Sequence, residues 1–385
     1  MYTLLLAIIY LIFISLGLPD SLLGAGWPTM RLVFHMPTSA AGIISMIVSG
    51  GTIVSSLMSE RMTKKTSTEL VTITSVFLTA AALFGFSVST RFWMLCLWAI
   101  PYGLGAGAID SAINNYVALH YSSRHMSWLH CFWGIGTIIS PCIMSFALTH
   151  YSWSTGYRII SFIQLGIVII LIFTLRLWKV NKKSSSEKEP EKLLGIKGAL
   201  KTKGAIYLFA GFFSYCAAEG TAMLWASSYL TDAKGISAQV SAAFASLFFI
   251  GITLGRFISG FISDRLGDRN MIRLGTSIAF AGIVCIFLSF LYTGLALAGL
   301  IIFGMGCAPV YPSIIHSTPA NFGAEKSQGI IGIQMASAYV GSTFMPPLFG
   351  LLANHISLNL FPFFLLFFLL LMIAMIETTY RKVNP

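Results

Sequence analysis

The stretch LGRFISGFISDRLGDR (254–269) aligns without a gap with an earlier stretch of the same chain, GGTIVSSLMSERMTKK (50–65). Each stretch begins in an apolar run and ends in a cluster of charged residues. A pattern that occurs twice, about half a chain apart, indicates an internal repeat. The aligned pairs are Gly51 with Gly255, Ser59 with Ser263, Glu60 with Asp264, Arg61 with Arg265 and Lys65 with Arg269.

The composition places this repeat in a membrane. Of the 385 residues, 56% are hydrophobic and 10% are charged, whereas about 25% are charged in ordinary soluble domains. A membrane-spanning helix needs about 20 apolar residues. The chain offers twelve such runs, at 3–29, 38–59, 69–89, 92–118, 127–149, 156–178, 204–231, 237–262, 271–291, 294–316, 328–352 and 357–379.

One long polar stretch divides these runs evenly. We therefore predict an N-terminal six-helix half at 1–178, a linker at 179–203 and a C-terminal six-helix half at 204–385. With both termini in the cytoplasm, the cytoplasmic segments hold 19 of the 24 Lys and Arg residues, as the positive-inside rule requires. The net charge of +11 thus belongs to loops beside the bilayer. No folded module for nucleic acid accompanies it.

Further marks repeat in the two halves. Asp20 and Glu219 each lie in the first span of a half, and each fifth span has a glycine five residues before a proline: Gly136 before Pro141 and Gly341 before Pro346. The sequence therefore predicts an all-α membrane protein with twelve transmembrane helices in two pseudo-symmetric halves. Transporters built from such repeats bind their solute between the halves near mid-membrane.

Two motifs resemble a known family. GFISDRLGDR (260–269) resembles the loop signature G-x-x-x-D-R-x-G-R-R of the major facilitator superfamily, with Asp268 in place of one basic residue, and GYRIISF (156–162) resembles another of its marks. The first-half copy of the loop departs from the signature at Ser56, Glu60 and Thr63. The resemblance implies the major facilitator fold and secondary transport across the inner (cytoplasmic) membrane.

A narrower resemblance concerns the substrate. Carboxylates in the first and fourth spans, Asp20 and Asp110, together with SWLHCFWGIGTIISP (127–141), are similar to features of the fucose-permease group of sugar–proton symporters. This resemblance implies a sugar-like solute and a proton as the transported species. Inheriting the substrate from a fold relative is analogy.

Three carboxylates inside predicted spans are the candidates for proton coupling: Asp20, Asp110 and Glu219. Burial away from water favours the neutral form of a carboxyl group, so each is expected to bind and release protons near neutral pH. The alternative for Asp110 is an aspartate that only ties helices together by hydrogen bonds. For Glu219 there are two alternatives. It accepts hydrogen bonds from hydroxyl groups of the solute, or it only packs between helices.

Polar and aromatic side chains within the spans are the candidates for solute binding. Aromatic rings with amide, imidazole and carboxylate groups suit a hydroxyl-rich ligand. Trp27 also fits an anchor at the membrane interface, and His130 also fits an interfacial residue or a partner of Asp110. The predicted set is Trp27, Asn114, His130, Tyr215, Glu219, Tyr311, Gln334 and Gln164.

The charged loops are candidates for a cytoplasmic gate. An acid beside an arginine at a helix end can hold two helices together in one state and release them in another. The alternative is simple positive-inside anchoring. The predicted gate residues are Glu60, Arg61, Asp264, Arg265 and Arg269.

Other functional classes lack their motifs. The sequence has no G-x-x-x-x-G-K-[ST] loop for nucleotide phosphates, no nucleophilic triad in a soluble context and no metal-ligand spacing. We therefore expect a protein that is not an enzyme and needs no cofactor or metal. The leading hypothesis is proton-coupled uptake of a sugar or sugar derivative by a monomer. Proton-driven efflux of an amphipathic compound, and a receptor that binds without transport, are the alternatives.

Overall fold

Helices make up nearly all of the described chain. The structure, a computed structural model, describes residues 2–37, 39–178, 193–236 and 238–383. The predicted linker therefore lies outside the described residues at 179–192. Its remainder contains a short helix that the polar composition did not suggest. The regular elements of the described residues are helices, as the apolar runs predict.

The first six predicted spans correspond to the helices before residue 179. The first span is interrupted at Asp20 and Ser21, which separates α1 from α2, and the sixth is followed by a short turn of helix, α8. The bounds are α1 Tyr2–Asp20, α2 Leu22–Val33, α3 Ala40–Lys65, α4 Thr68–Val88, α5 Phe92–His120, α6 Ser123–His150, α7 Trp153–Phe173 and α8 Leu175–Trp178.

The last six spans follow a similar plan. A π-helical turn, Tyr229–Ala233, ends the seventh span. The tenth span breaks at Ala308 and Pro309, as the proline predicts. The bounds are α9 Gly195–Lys201, α10 Ala205–Ser228, α11 Ala238–Leu266, α12 Asp268–Phe287, α13 Gly294–Cys307, α14 Val310–His316, α15 Thr318–Phe322, α16 Ala324–His355 and α17 Phe361–Val383.

The longer of these helices can cross a bilayer. Among the described residues, nine helical stretches combine the necessary length and hydropathy. The predicted seventh, eighth and eleventh spans correspond to α10, α11 and α16, with 24, 29 and 32 residues. The prediction of an all-α, multi-pass membrane protein is confirmed.

The chain forms two compact units. Unit 1 comprises Met1–Tyr116 and Phe132–Gly195, and unit 2 comprises Val117–Cys131 and Ile196–Pro385. Unit 2 thus includes the loop between α5 and α6 with the adjoining helix ends. The boundaries of the two sequence halves remain a prediction.

In unit 1, α1 crosses α6 at unusually short range. A Cβ atom on Gly17 would overlap the carbonyl oxygen of Trp133, and one on Gly136 would overlap that of Ile14. The Ser21 hydroxyl donates to the Thr137 carbonyl at 2.7 Å across the same crossing. Glycine is therefore required at Gly17 and Gly136, because only a residue without Cβ allows this approach.

Unit 2 repeats the crossing. A Cβ on Gly341, in α16, would lie 2.5 Å from the carbonyl oxygen of Phe213, in α10. Ile14 and Phe213 each precede the carboxylate of their half by six residues, Asp20 and Glu219. The glycine that the sequence places five residues before a proline therefore has the same structural task in both units.

Small residues also bring α3 against α5. A Cβ on Gly107 would overlap the carbonyl oxygen of Thr52. The Thr52 hydroxyl donates to the Gly103 carbonyl at 3.2 Å, and the Ser56 hydroxyl donates to the Gly107 carbonyl at 3.2 Å. This contact holds the middle of α5, just before Asp110, against α3.

We expect Gly107→Ala to destabilise the protein by about 1–3 kcal/mol, because the new methyl group overpacks the contact between α3 and α5. Thermal unfolding of the detergent-purified protein measures the change. Gly50→Ala is the matched control, since a Cβ on Gly50 meets nothing within 4 Å. Equal melting temperatures for the two variants would contradict the prediction.

Candidate functional site

The first candidate centre surrounds Asp20 in unit 1. The Tyr102 hydroxyl donates to Asp20 Oδ1 at 3.0 Å, and the Trp133 indole Nε1 donates to Asp20 Oδ2 at 2.8 Å. Asp20 nevertheless remains exposed, whereas Leu18 nearby is buried. The carboxylate thus has one neutral donor on each oxygen and an open side.

The helix break and the glycine crossing place these groups together. α1 ends at Asp20, and the next helix begins at Leu22. Trp133 lies one turn before Gly136 on α6, so the close crossing brings its indole to the carboxylate. The predicted role of Asp20 did not include Tyr102 or Trp133. A tyrosine or tryptophan beside glycines inside a span was the available signal.

Asp110 lies in a different environment on α5. It is 4% exposed, and Asn114, fully buried one turn later, donates its Nδ2 to Asp110 Oδ1 at 2.7 Å and to the Asp110 carbonyl at 2.9 Å. The predicted pairing of Asp110 with Asn114 on one helix face is therefore present. The contact engages one oxygen of the Asp110 carboxylate and the amide nitrogen of Asn114.

The second candidate centre surrounds Glu219 in unit 2. The Tyr215 hydroxyl lies 2.8 Å from Glu219 Oε1 and 2.9 Å from the Cys307 carbonyl oxygen. Cys307 is the last residue of α13, so its carbonyl group is one that the helix break frees. Glu219 is 9% exposed and Tyr215 is 3% exposed.

A buried arginine faces this carboxylate. Arg256 Nη2 lies 3.5 Å from Glu219 Oε1, and Arg256 is 3% exposed. Its guanidinium carbon lies 5.8 Å from the centroid of the Tyr311 ring. Sequence reasoning placed Arg256 inside the eighth span but gave it no role. The missed signal was the position of Arg256 itself, because a cation inside a membrane span needs a buried partner.

Aromatic rings close the wall of the Glu219 centre. The Tyr311 ring contacts the His130 ring edge-to-face at 4.8 Å and the Phe212 ring at 4.7 Å between centroids. His130 is 5% exposed. Three residues predicted to bind solute, Tyr215, Tyr311 and His130, are therefore brought together with Glu219.

Other predicted solute ligands lie elsewhere. Trp27 is 4% exposed in an apolar cluster, where its ring meets Phe92 edge-to-face. Gln164 donates to the Ser15 carbonyl at 2.8 Å and links α7 to α1. Neither residue takes part in the described contacts of the Glu219 centre, and a role of either in solute binding stays a prediction.

Gln334 is fully buried on α16. Its Oε1 accepts a hydrogen bond of 2.9 Å from the Thr318 hydroxyl. The next residue, Met335, lies with its sulfur 3.6 Å from the Tyr311 hydroxyl. Gln334 is thus the sequence neighbour of a residue that contacts Tyr311. Its own described contact is with Thr318 in α15.

A charged contact joins α6 to α11 within unit 2. Asp264 accepts hydrogen bonds from the Arg124 backbone N–H at 3.0 Å and from the Ser122 hydroxyl at 3.2 Å. Arg124 Nε lies 3.1 Å from the same carboxylate. Asp264 therefore binds the loop between the predicted fourth and fifth spans, where that loop leads into α6.

His316 extends this contact. Its Nδ1 lies 2.7 Å from Asp268 Oδ2 and its Nε2 lies 3.0 Å from the Tyr121 carbonyl oxygen, while Ser123 donates to Asp268 Oδ1 at 2.6 Å. Both ring nitrogens face acceptors, so both bonds form only when the imidazole carries two protons. Asp268 is the residue that replaces a basic one in the loop signature.

The other predicted gate residues have different positions. Glu60 accepts from the backbone N–H groups of Leu194 and Gly195 at 2.7 and 2.9 Å and pairs with Lys64 at 3.1 Å. Arg61 and Arg265 are exposed. Arg269 pairs with Glu377 at 2.6 Å. The two copies of the repeated loop thus make different contacts.

The sequence model of the Major Facilitator Superfamily matches residues 9–328 and 208–385 of the chain. The chain belongs to the Major Facilitator Superfamily. It is a membrane transporter and not an enzyme, as the sequence predicted.

The transporter also resembles individual proteins. It is 23% identical over 359 residues to the glucose/mannose transporter GlcP of Bacillus subtilis, covering 90% of this chain and 87% of GlcP. It is 22% identical over 392 residues to bypass of stop codon protein 6 of Saccharomyces cerevisiae, covering 91% and 77%. The structure of the Escherichia coli fucose:proton symporter FucP matches with a TM-score of 0.78 at 17% identity, covering 100% of both chains. This last likeness confirms the fold.

We expect Arg256→Gln to destabilise the transporter by about 3–5 kcal/mol, because it leaves the buried Glu219 carboxylate without its cation. Adding Glu219→Gln should restore at least half of the loss. Thermal unfolding of the purified variants measures both effects. Arg61→Gln is the control, since the Arg61 side chain is exposed and an exposed charge contributes about 1 kcal/mol or less. An Arg256→Gln variant as stable as this control would refute the coupling.

We expect Asp264→Ala to accelerate amide hydrogen exchange in the peptide 121–126 by about tenfold or more, because a charge-assisted hydrogen bond contributes about 1.5–3 kcal/mol. Mass spectrometry of the exchanged protein measures the rate. Arg265→Ala removes the exposed neighbour and should leave exchange unchanged. If both variants behave alike, Asp264 does not hold this loop.

Proposed function

We propose that the transporter takes up a sugar or sugar derivative with a proton across the cytoplasmic membrane by alternating access. In this proposal both termini lie in the cytoplasm and the monomer is the working unit. Asp20 and Asp110 carry the coupled proton. The Glu219 centre contributes the solute contacts.

The observation that carries the proposal is the exposed carboxylate of Asp20 in the middle of a membrane-crossing stretch, Thr3–Val33. An ionised aspartate at the centre of a membrane helix costs about 2.5–3.5 kcal/mol on insertion scales. Contact with water removes most of this cost, so we infer that the open side of Asp20 borders a watery cavity. Tyr102 and Trp133 hold the carboxylate without neutralising it, which leaves protonation free to change its charge.

The Glu219 centre has the groups that a hydroxyl-rich solute needs. Tyr215 and Glu219 supply a donor and an acceptor, and the Tyr311 ring offers an apolar face for a sugar ring. Arg256 adds a cation, so the proposal covers sugar acids as well as neutral sugars. The names of two similar proteins, the glucose/mannose transporter GlcP and the fucose:proton symporter FucP, favour the same solute class.

We infer that the contacts of Asp264 and His316 act as a gate on the cytoplasmic side. They join the loop at 121–124 to the ends of α11 and α14 through several charge-assisted hydrogen bonds. Such a set breaks as a whole when either partner moves away, which suits a two-state switch. Arg265 and Arg269 would then anchor this end of the protein and not close it.

Proton-driven efflux of an amphipathic compound is less well supported. An antiporter for cationic compounds needs a buried acid that forms an ion pair with the positively charged substrate. Glu219 lies in aromatic surroundings, but Arg256 already faces it at 3.5 Å. A second cation there would meet Arg256 as a like charge.

The deciding experiment uses the purified transporter in liposomes with a trapped pH dye and a panel of neutral sugars, deoxysugars and sugar acids. We expect one class of these compounds to drive proton entry. Asp20→Asn should reduce that entry at least tenfold and preserve radiolabelled sugar exchange, because a permanently neutral side chain binds solute without carrying a proton. Asp232→Asn changes an exposed carboxylate outside both centres and should transport normally.

Each other outcome has a distinct meaning. Sugar exchange without proton entry in the wild type would replace symport by facilitated diffusion. Binding without exchange would favour the receptor alternative. Silence in every assay would exclude the sugar proposal and bring efflux forward.

A further inference from the structure

A cavity of about 570 Å³ lies in unit 2, and none of the residues named for the two candidate centres lines it. We call it the lysine cavity. Three stretches form its walls: the end of α9, the segment around α15 and the end of α17. Its lining residues are Gly198, Lys201, Thr202, Lys203, Asn321, Phe322, Lys326, Lys382 and Val383.

The walls of the lysine cavity are tied to one another. Gly204 adopts a φ of +91°, and a Cβ there would lie 2.8 Å from Val383 Cγ2. The Thr379 hydroxyl lies 3.5 Å from the Gly204 carbonyl oxygen, and Phe322, one of the lining residues, is 7% exposed. The residues after α9 and the end of α17 are therefore in contact, and Phe322 lies beside them.

Its charge has one sign. Four of the nine lining residues are lysines, and none is an acid. Among the described residues, the ion pairs include none of these four lysines, whereas Lys64, Arg124 and Arg269 each face a carboxylate. The nearest acid in the sequence, Glu325, places its carboxylate against Gly323 and does not line the cavity.

Lys326 is half-buried and the other three lysines are exposed, so four like charges surround one open cavity and repel one another. An anion that contacts several of them relieves this repulsion, and lysine ammonium groups on flexible stems adapt to phosphate oxygens. We propose that the lysine cavity binds a phosphate-bearing anion the size of a sugar phosphate or a lipid headgroup. The proposed transport of a sugar with a proton gives no reason for this site, so the inference goes beyond that function.

The two sources of such a phosphate are a free phosphate ester and an anionic lipid. Basic pockets between transmembrane helices on the cytoplasmic side are typical sites for anionic headgroups. The same groups would accept a soluble phosphate, because both present the same oxygens. The experiment therefore needs one arm for each source.

The first arm measures binding of glucose 6-phosphate and inorganic phosphate to the detergent-purified transporter by calorimetry. The second arm counts phosphatidylglycerol molecules that stay bound in native mass spectrometry, with phosphatidylcholine as the neutral reference. The test variant is Lys201→Ala/Lys326→Ala. Lys65→Ala/Lys197→Ala is the matched control, because it removes the same charge at exposed residues outside the cavity.

We expect the test variant to weaken binding at least tenfold in one arm and the control to change it less than twofold. Weakening in the first arm assigns a soluble phosphate, and weakening in the second assigns a lipid headgroup. Equal weakening in the two variants would mean unspecific attraction to surface charge. That result, or the absence of binding in both arms of the wild type, would overturn the proposal.

Discussion

The close crossing of the first and fifth spans is the constraint on which the rest of each unit depends. Gly17 and Gly136 allow it in unit 1, and Gly341 allows it in unit 2. In the bilayer no hydrophobic force draws helices together, so close backbone contact and hydrogen bonds must do so. The crossing fixes the depth of α1 against α6 and of α10 against α16. Asp20 and Glu219 follow from it, since each lies six residues after the carbonyl group that the glycine contacts.

The carboxylates beside the two crossings lie in different electrostatic environments. Asp20 is exposed and held by two neutral donors, Tyr102 and Trp133. Glu219 is buried against the cation of Arg256. Among the described residues, the ion pairs include Glu219 but not Asp20. The corresponding carboxylates of the two units thus have different electrostatic partners.

Much of this arrangement was predictable because it repeats. The spans, the glycine before each proline, and the correspondence of Asp20 with Glu219 depend on spacing, which a duplicated sequence preserves. Partners across helices were not predictable, because Trp133 and Arg256 approach their carboxylates only after packing. Trp27 shows the opposite limit. Its residue type suits both an apolar core and a sugar ring, and the sequence alone does not distinguish them.

The contacts of the predicted gate residues were predictable only in part for a related reason. Both Glu60 and Asp264 were predicted as gate residues, and yet Glu60 binds the backbone at Leu194 and Gly195 while Asp264 binds Arg124. Equivalent positions meet different partners once the two halves have diverged. His316 carried no local motif at all, because its role depends on two acceptors that are distant in the sequence.

The packing of α10 against α16 has a consequence for biogenesis. α10 carries Glu219 and packs more extensively on α16 than on any other described helix. α16 leaves the ribosome about a hundred residues after α10. During that interval the Glu219 side chain has Tyr215 beside it but lacks the complete surroundings of unit 2. α10 must therefore wait in the membrane, or beside the translocation channel, until the final helices arrive to enclose it.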